Sequence, residues 1–153
     1  MSQRTGSAGE HAGTRAEPVP PLWLNVPARP GQLAGLRRAL REWMVQAGIR
    51  DPDSTSVLIA VGEAASNAVE HAYLGTEIGL VRLTASLEAD VLWIHVIDGG
   101  RWRASASHGD GRRGRGFALM RSTMDDVDVQ HGVDGTSVCM RLALGRQATD
   151  DER

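Results

Sequence analysis

The run Val57–Tyr73 carries two longitudinal stripes, and they restrict what a chain containing it can become. Val57, Val61, Ala64, Ala65, Ala68 and Ala72 recur at spacings of three and four, the period of a helix with one apolar side. Asp51 is positioned to cap that helix, Pro52 takes its first position and Gly75 follows its end. At about 100° per residue, Glu63, Asn67, Glu70 and His71 fall within roughly a third of the circumference. Such a stripe is either a solvated face or a chemical one. An amide one turn after a carboxylate can hold a hard cation through its oxygen, while the carboxylate takes a proton from a nucleophile.

Around this helix the pattern alternates between periods. Leu22–Val26 reads as a short edge strand fenced by Pro20, Pro21 and Pro27. From Pro30 to Ala47, Leu33, Leu36, Leu40, Trp43, Met44 and Ala47 keep helical spacing, and Gly48 ends it; Trp43 is a core residue. Leu80–Glu88 and Val91–Asp98 alternate with period two, predicting an antiparallel hairpin turning at Ala89 and Asp90. Phe117–Met124 looks helical. Val127–His131 and Thr136–Leu144 predict a second hairpin, turning between Gly132 and Gly135. Together these give an α+β two-layer sandwich, a mixed and mostly antiparallel sheet covered on one face by helices. Residues 1–20 read as a disordered tail, 21–145 as one domain and 146–153 as a polar tail.

Two strand residues are in phase with the core yet polar. Asp98 continues the Leu92, Ile94 and Val96 face, so it is either where the strand leaves the sheet or a carboxylate buried for a purpose. Gly99-Gly100 after it lets the backbone turn sharply and approach a ligand. Thr136 shares the face of Val138, Met140 and Leu142, where a hydroxyl needs a partner. Residues 101–116 form an expected loop with five arginines and four glycines, running into the Phe117 helix. Free N–H groups and a helix dipole make that an anion site; a solvated loop is the alternative. Cys139 is on the opposite strand face, without metal-ligand spacing, and reads as a bystander.

Composition narrows the chemistry. All 17 basic residues are arginine, so a Walker-A lysine, a protein-kinase strand lysine and a Schiff base are excluded. Phosphates, if bound, are held by backbone N–H groups, arginine and metal. A net charge of −2 argues against a nucleic-acid partner. One cysteine rules out a disulfide framework, and the absence of a long apolar run leads us to expect a cytoplasmic protein with no membrane partner.

Four segments, in order, resemble the GHKL ATPase superfamily, which shares the Bergerat ATP-binding fold. Glu63-Ala-Ala-Ser-Asn67-Ala-Val-Glu-His71-Ala72-Tyr73 is similar to its N box and Asp98-Gly99-Gly100 to its first glycine box. Gly114-Arg115-Gly116-Phe117-Ala118-Leu119-Met120 is similar to the second, and Gly135-Thr136 to the last. The Glu-x-x-x-Asn-x-x-x-His-Ala-Tyr form resembles the bacterial anti-sigma-factor serine kinases. The resemblance implies ATP and Mg²⁺ as cofactors, with Asn67 holding the metal and Glu63 as catalytic base. It implies adenine recognition by Asp98 supported by Thr136, and phosphate contacts from Gly114, Arg115 and Gly116. His71, Gly100 and Phe117 would complete the nucleotide-binding set, His71 at the pocket rim. Trp102 departs from the first glycine box, where glycine is usual, and either stacks on the nucleotide or packs the lid. The implied function is a serine/threonine-protein kinase acting on a STAS-domain anti-sigma-factor antagonist, able to sequester a sigma factor and to form a homodimer. The alternative is a nucleotide-dependent protein-binding module that transfers no phosphate.

Overall fold

A computed structural model describes residues 17–71, 79–99 and 111–145, with backbone alone for His71 and residues 111–114. Strand β1 (Leu22–Pro27) leads through a short 3₁₀ turn at Pro30–Gln32 into helix α1 (Leu33–Gln46), and α2 (Asp53–His71) follows. Strands β2 (Leu80–Glu88) and β3 (Val91–Asp98) come next, then helix α3 (Gly111–Thr123) and strands β4 (Asp126–Gly132) and β5 (Gly135–Ala143). The sheet order is β1-β2-β3-β5-β4.

Every described pairing is antiparallel, so the sheet is more uniform than the mixed one expected. The reason lies in the crossover. The α3 connection returns β4 parallel to β3, but β5 inserts between them and pairs antiparallel with both. Among the described residues no two parallel strands touch.

The hairpin β2–β3 has the predicted bounds because its alternation is strict. Val81, Leu83 and Ala85 are buried on one side, opposite Leu92, Ile94 and Val96. Its two-residue loop has Ala89 at φ 47° and Asp90 at φ 63°, the left-handed pair that matches strand twist. Helix α1 buries Leu36, Leu40, Trp43 and Met44, and Gly48 at φ 73° follows its end. Trp43 is core as read from the sequence, and its Nε1 donates to the Pro20 carbonyl at 2.8 Å. That bond, with Val19 packed on the core, carries the ordered chain back into the segment expected to be tail.

Helix α2 begins one residue later than expected, at Asp53. Asp51 still serves its start: the Ser54 and Thr55 hydroxyls donate to Asp51 Oδ1 at 2.5 and 2.6 Å. These bonds hold the Asp51 carboxyl below its ordinary value. Val57, Ala60, Val61, Ala64, Ala65 and Ala68 are buried, and the small alanines let the helix lie close to the sheet. The opposite sheet face carries Asn25, Arg82, Thr84, His95 and Cys139, with Trp23 70% exposed. Residues 1–16, 72–78, 100–110 and 146–153 lie outside the described residues. With them go the expected helix end at Ala72, Tyr73 and Gly75, as well as Gly100, Trp102 and the C-terminal tail.

Candidate nucleotide site

Helix α2 brings Glu63 and Asn67 to the same side, one turn apart and half-buried. Against them lies Gly116 of α3. A Cβ on residue 116 would stand 3.1 Å from Glu63 Oε2 and 3.5 Å from Asn67 Nδ2. Gly116 is itself buried, so its missing side chain is what lets α3 sit directly on the carboxylate–amide pair. The polar stripe is thus not a solvated face at these two positions. Glu70, further along, is exposed.

The second glycine segment differs from expectation. Helix α3 starts at Gly111, so Gly114, Arg115 and Gly116 are helical and not part of a loop preceding Phe117. An α-helix leaves free N–H groups only in its first turn. With the helix starting at Gly111, both Gly114 and Gly116 lie past the free N–H groups, and each N–H meets an intrahelical carbonyl. Gly116 therefore serves by close approach to α2, not by presenting an N–H. Arg115 is exposed, and Phe117 is half-buried against the core. His71 closes α2, with only its backbone described, and Gly100 lies outside the described residues.

Asp98 is 7% exposed and is the one buried charged or polar residue among those described. It sits at the end of β3 on the helix-covered face, in register with Val81 on one side and Thr136 on the other. Burying a carboxylate there is costly unless polar groups meet it, and Thr136 is half-buried beside it. Gly135 makes this approach possible. Its φ is +133°, and a Cβ there would overlap the Asp98 carbonyl oxygen and stand 2.8 Å from the Asp98 carbonyl carbon. Thr136 Oγ1 is also 3.3 Å from His131 Nδ1. Sequence reading passed over His131. The alternation Val127, Val129, His131 carried the signal, since it puts all three on the face of Asp98 and Thr136.

A separate cavity of about 730 Å³ opens at the far end of the sheet, lined by Ile49, Asp51, Asp53, Leu87, Asp90 and Leu144 among others. It contains none of the residues expected in the site. Asp51 is engaged by Ser54 and Thr55, and Asp53 accepts from the Gly145 N–H at 3.2 Å.

The profile of the histidine kinase-like ATPase domain matches residues 26–142, which span β1 to β5 and hold Glu63, Asn67, Asp98, Gly116 and Thr136. The chain belongs to that family. Within this ATPase family it is similar to proteins named as a serine-protein kinase and as an anti-sigma factor. It is 30% identical to the serine-protein kinase RsbW of Bacillus pumilus, over 89% of this chain and 93% of that one. It is 32% identical to the anti-sigma F factor of Clostridium beijerinckii, over 69% of this chain and 81% of that one. A crystal structure of the RsbU and RsbW domains of a Mycobacterium tuberculosis protein superposes with a TM-score of 0.69 at 27% identity. That match covers 84% of this chain but 34% of the larger protein, so the chain spans about a third of its length. Among the described residues no helix is long and apolar enough to cross a membrane.

Proposed function

We propose that this protein is an ATP-dependent serine/threonine kinase that phosphorylates a STAS-domain anti-sigma-factor antagonist and also binds a sigma factor, as a homodimer in the cytoplasm. The observation that carries this reading is the apposition of Gly116 to Glu63 and Asn67. It sets a carboxylate and an amide of α2 directly against the buried side of α3.

The residues present suit Mg-ATP. Asn67 offers a neutral oxygen to a hard cation, while the start of α3, beside Gly114, offers N–H groups and the Arg115 guanidinium offers positive charge to phosphates. Asp98 and Thr136 offer an acceptor and a hydroxyl to the base. Gly100, His71 and Phe117 complete the proposed set. Bound Mg-ATP would supply the terminal phosphoryl group, its bond to the rest of the nucleotide breaking as ADP leaves. Glu63 needs only to hold a serine hydroxyl and accept its proton at a carboxylate oxygen as the phosphoryl bond forms. A protein that merely held nucleotide would need Asn67 and Asp98 but no such base, so Glu63 favours the enzyme over the binding module. The names of the relatives, serine-protein kinase and anti-sigma F factor, support the same substrate class and partner.

The test is transfer from labelled ATP to the STAS-domain proteins of the same organism, with Glu63→Ala beside the wild type. Acid-stable label on one of them, reduced about 10²–10⁴-fold in the variant while nucleotide affinity persists, is the expected result. Loss of nucleotide affinity in the variant would remove Glu63 from the role of base. Mg-ATP binding with no label on any candidate would leave the binding module as the function.

A further inference from the structure

One row of residues crosses all five strands on the helix-covered face: Val26, Val81, Asp98, Thr136 and His131. Two are apolar and lie beneath the helices. The other three place a carboxylate, a hydroxyl and an imidazole on consecutive strands β3, β5 and β4. His131 belongs to none of the four motif segments, yet its Nδ1 is 3.3 Å from Thr136 Oγ1.

A threonine hydroxyl is a rotor with one proton and two lone pairs. Left alone beside Asp98, it can turn either way. A carboxylate accepts only, so the proton on Thr136 is the one donor these two side chains have between them. In the tautomer that carries its proton on Nδ1, the one the proposal requires, His131 donates into Oγ1, one lone pair is fixed from the edge of the sheet and the hydroxyl proton is left for the pocket. The pocket then presents an acceptor at Asp98 next to a donor at Thr136. Adenine complements that pair, with an amino donor adjacent to a ring-nitrogen acceptor. Guanine presents a carbonyl and a ring N–H at the same edge and opposes it. We propose that His131 is a positioning residue that orients the Thr136 hydroxyl and thereby sets the preference for adenine nucleotides. This rests on the reading of the Asp98 end as the base-binding end.

Calorimetric titration of the full chain with ADP and GDP, with Mg²⁺, tests it. In His131→Leu the ADP dissociation constant should rise about three- to ten-fold, the range for one lost neutral hydrogen bond, and the ADP-over-GDP preference should shrink. His131→Asn puts an amide N–H near the place of Nδ1 and should return both values to within about two-fold of wild type. In a Thr136→Val background, His131→Leu should add nothing, because its target is gone. An equal loss in that background, or failure of His131→Asn to restore binding, overturns the proposal. Asp98→Asn separates the two levels. If it leaves ADP affinity unchanged, or the wild type binds no ADP, the base-binding reading itself falls. If it abolishes binding while His131→Leu is silent, only the role of His131 falls.

Discussion

Gly135→Ala should be among the most damaging single-methyl additions in this fold, whatever the protein binds. Residue 135 sits at φ +133°, a region that L side chains rarely adopt, which costs on the order of 1–3 kcal/mol. The methyl would also overlap the Asp98 carbonyl oxygen and stand 2.8 Å from its carbonyl carbon and 2.9 Å from Gly99 Cα. Against an optimal carbon–carbon separation of about 3.5 Å, these two carbons must retreat by roughly 0.6–0.7 Å, and the Asp98 carbonyl oxygen by more. No flexible side chain is there to yield, so overpacking adds about 1–3 kcal/mol. The sum is about 2–6 kcal/mol, a large part of the 5–15 kcal/mol usual for a domain. Urea denaturation followed by tryptophan fluorescence measures it, since Trp43 is buried. At a slope of about 1.5 kcal/mol/M the midpoint should fall by roughly 1–4 M. Gly132, paired with Gly135 across the same hairpin, is the control. A Cβ there meets nothing closer than 3.8 Å, so Gly132→Ala should leave the midpoint nearly unchanged. A Gly135→Ala midpoint within about 0.5 M of wild type would refute the account of how β5 reaches β3.

Gly116→Ala should separate stability from function. Alanine favours a helix interior over glycine by about 1 kcal/mol, and the contact at 3.1 Å is with the movable end of the Glu63 side chain, so thermal stability should hold or rise. Displacing that carboxylate by a few tenths of an ångström should nonetheless cut phosphotransfer at least about ten-fold in the labelled-ATP assay; unchanged transfer would detach Gly116 from the site. Cys139 should be a sluggish thiol. Burial, then Asp128 and Asp126, pushes its pKa up, so the midpoint of its iodoacetamide alkylation profile should lie above that of a free cysteine peptide. Asp128→Asn should lower that midpoint only in part, because burial is the larger cause, and a wild-type midpoint equal to the peptide's would contradict the assignment.

What was legible in the sequence depended on how many residues repeated the same message. The β2–β3 hairpin and the apolar stripe of α2 are written several times over in alternation or helical spacing, and both are present. Asp98 was legible as an exception to a regular pattern, and its burial follows from its phase. The start of α3 was not legible. Glycine and arginine at 111–116 carry no apolar period, and helix there depends on Gly116 packing against α2, a tertiary contact. The uniform antiparallel sheet was hidden for a similar reason, since insertion of β5 between β3 and β4 is a long-range event. His131 was visible only as the third of three alternating residues on a short edge strand. Its significance lies in which strand β5 reaches next.

Because β5 follows every other described element and yet lies between two earlier ones, the pairing of Asp98 with Thr136 is the last part of the described sheet to exist during synthesis. A nascent chain stopped before residue 135 already carries Glu63, Asn67 and Gly116, but Asp98 has no Thr136 beside it and β3 has an open edge. On the proposed reading, such a fragment lacks the means to discriminate a nucleotide, and loss of the β4–β5 hairpin yields a silent product rather than an unregulated one.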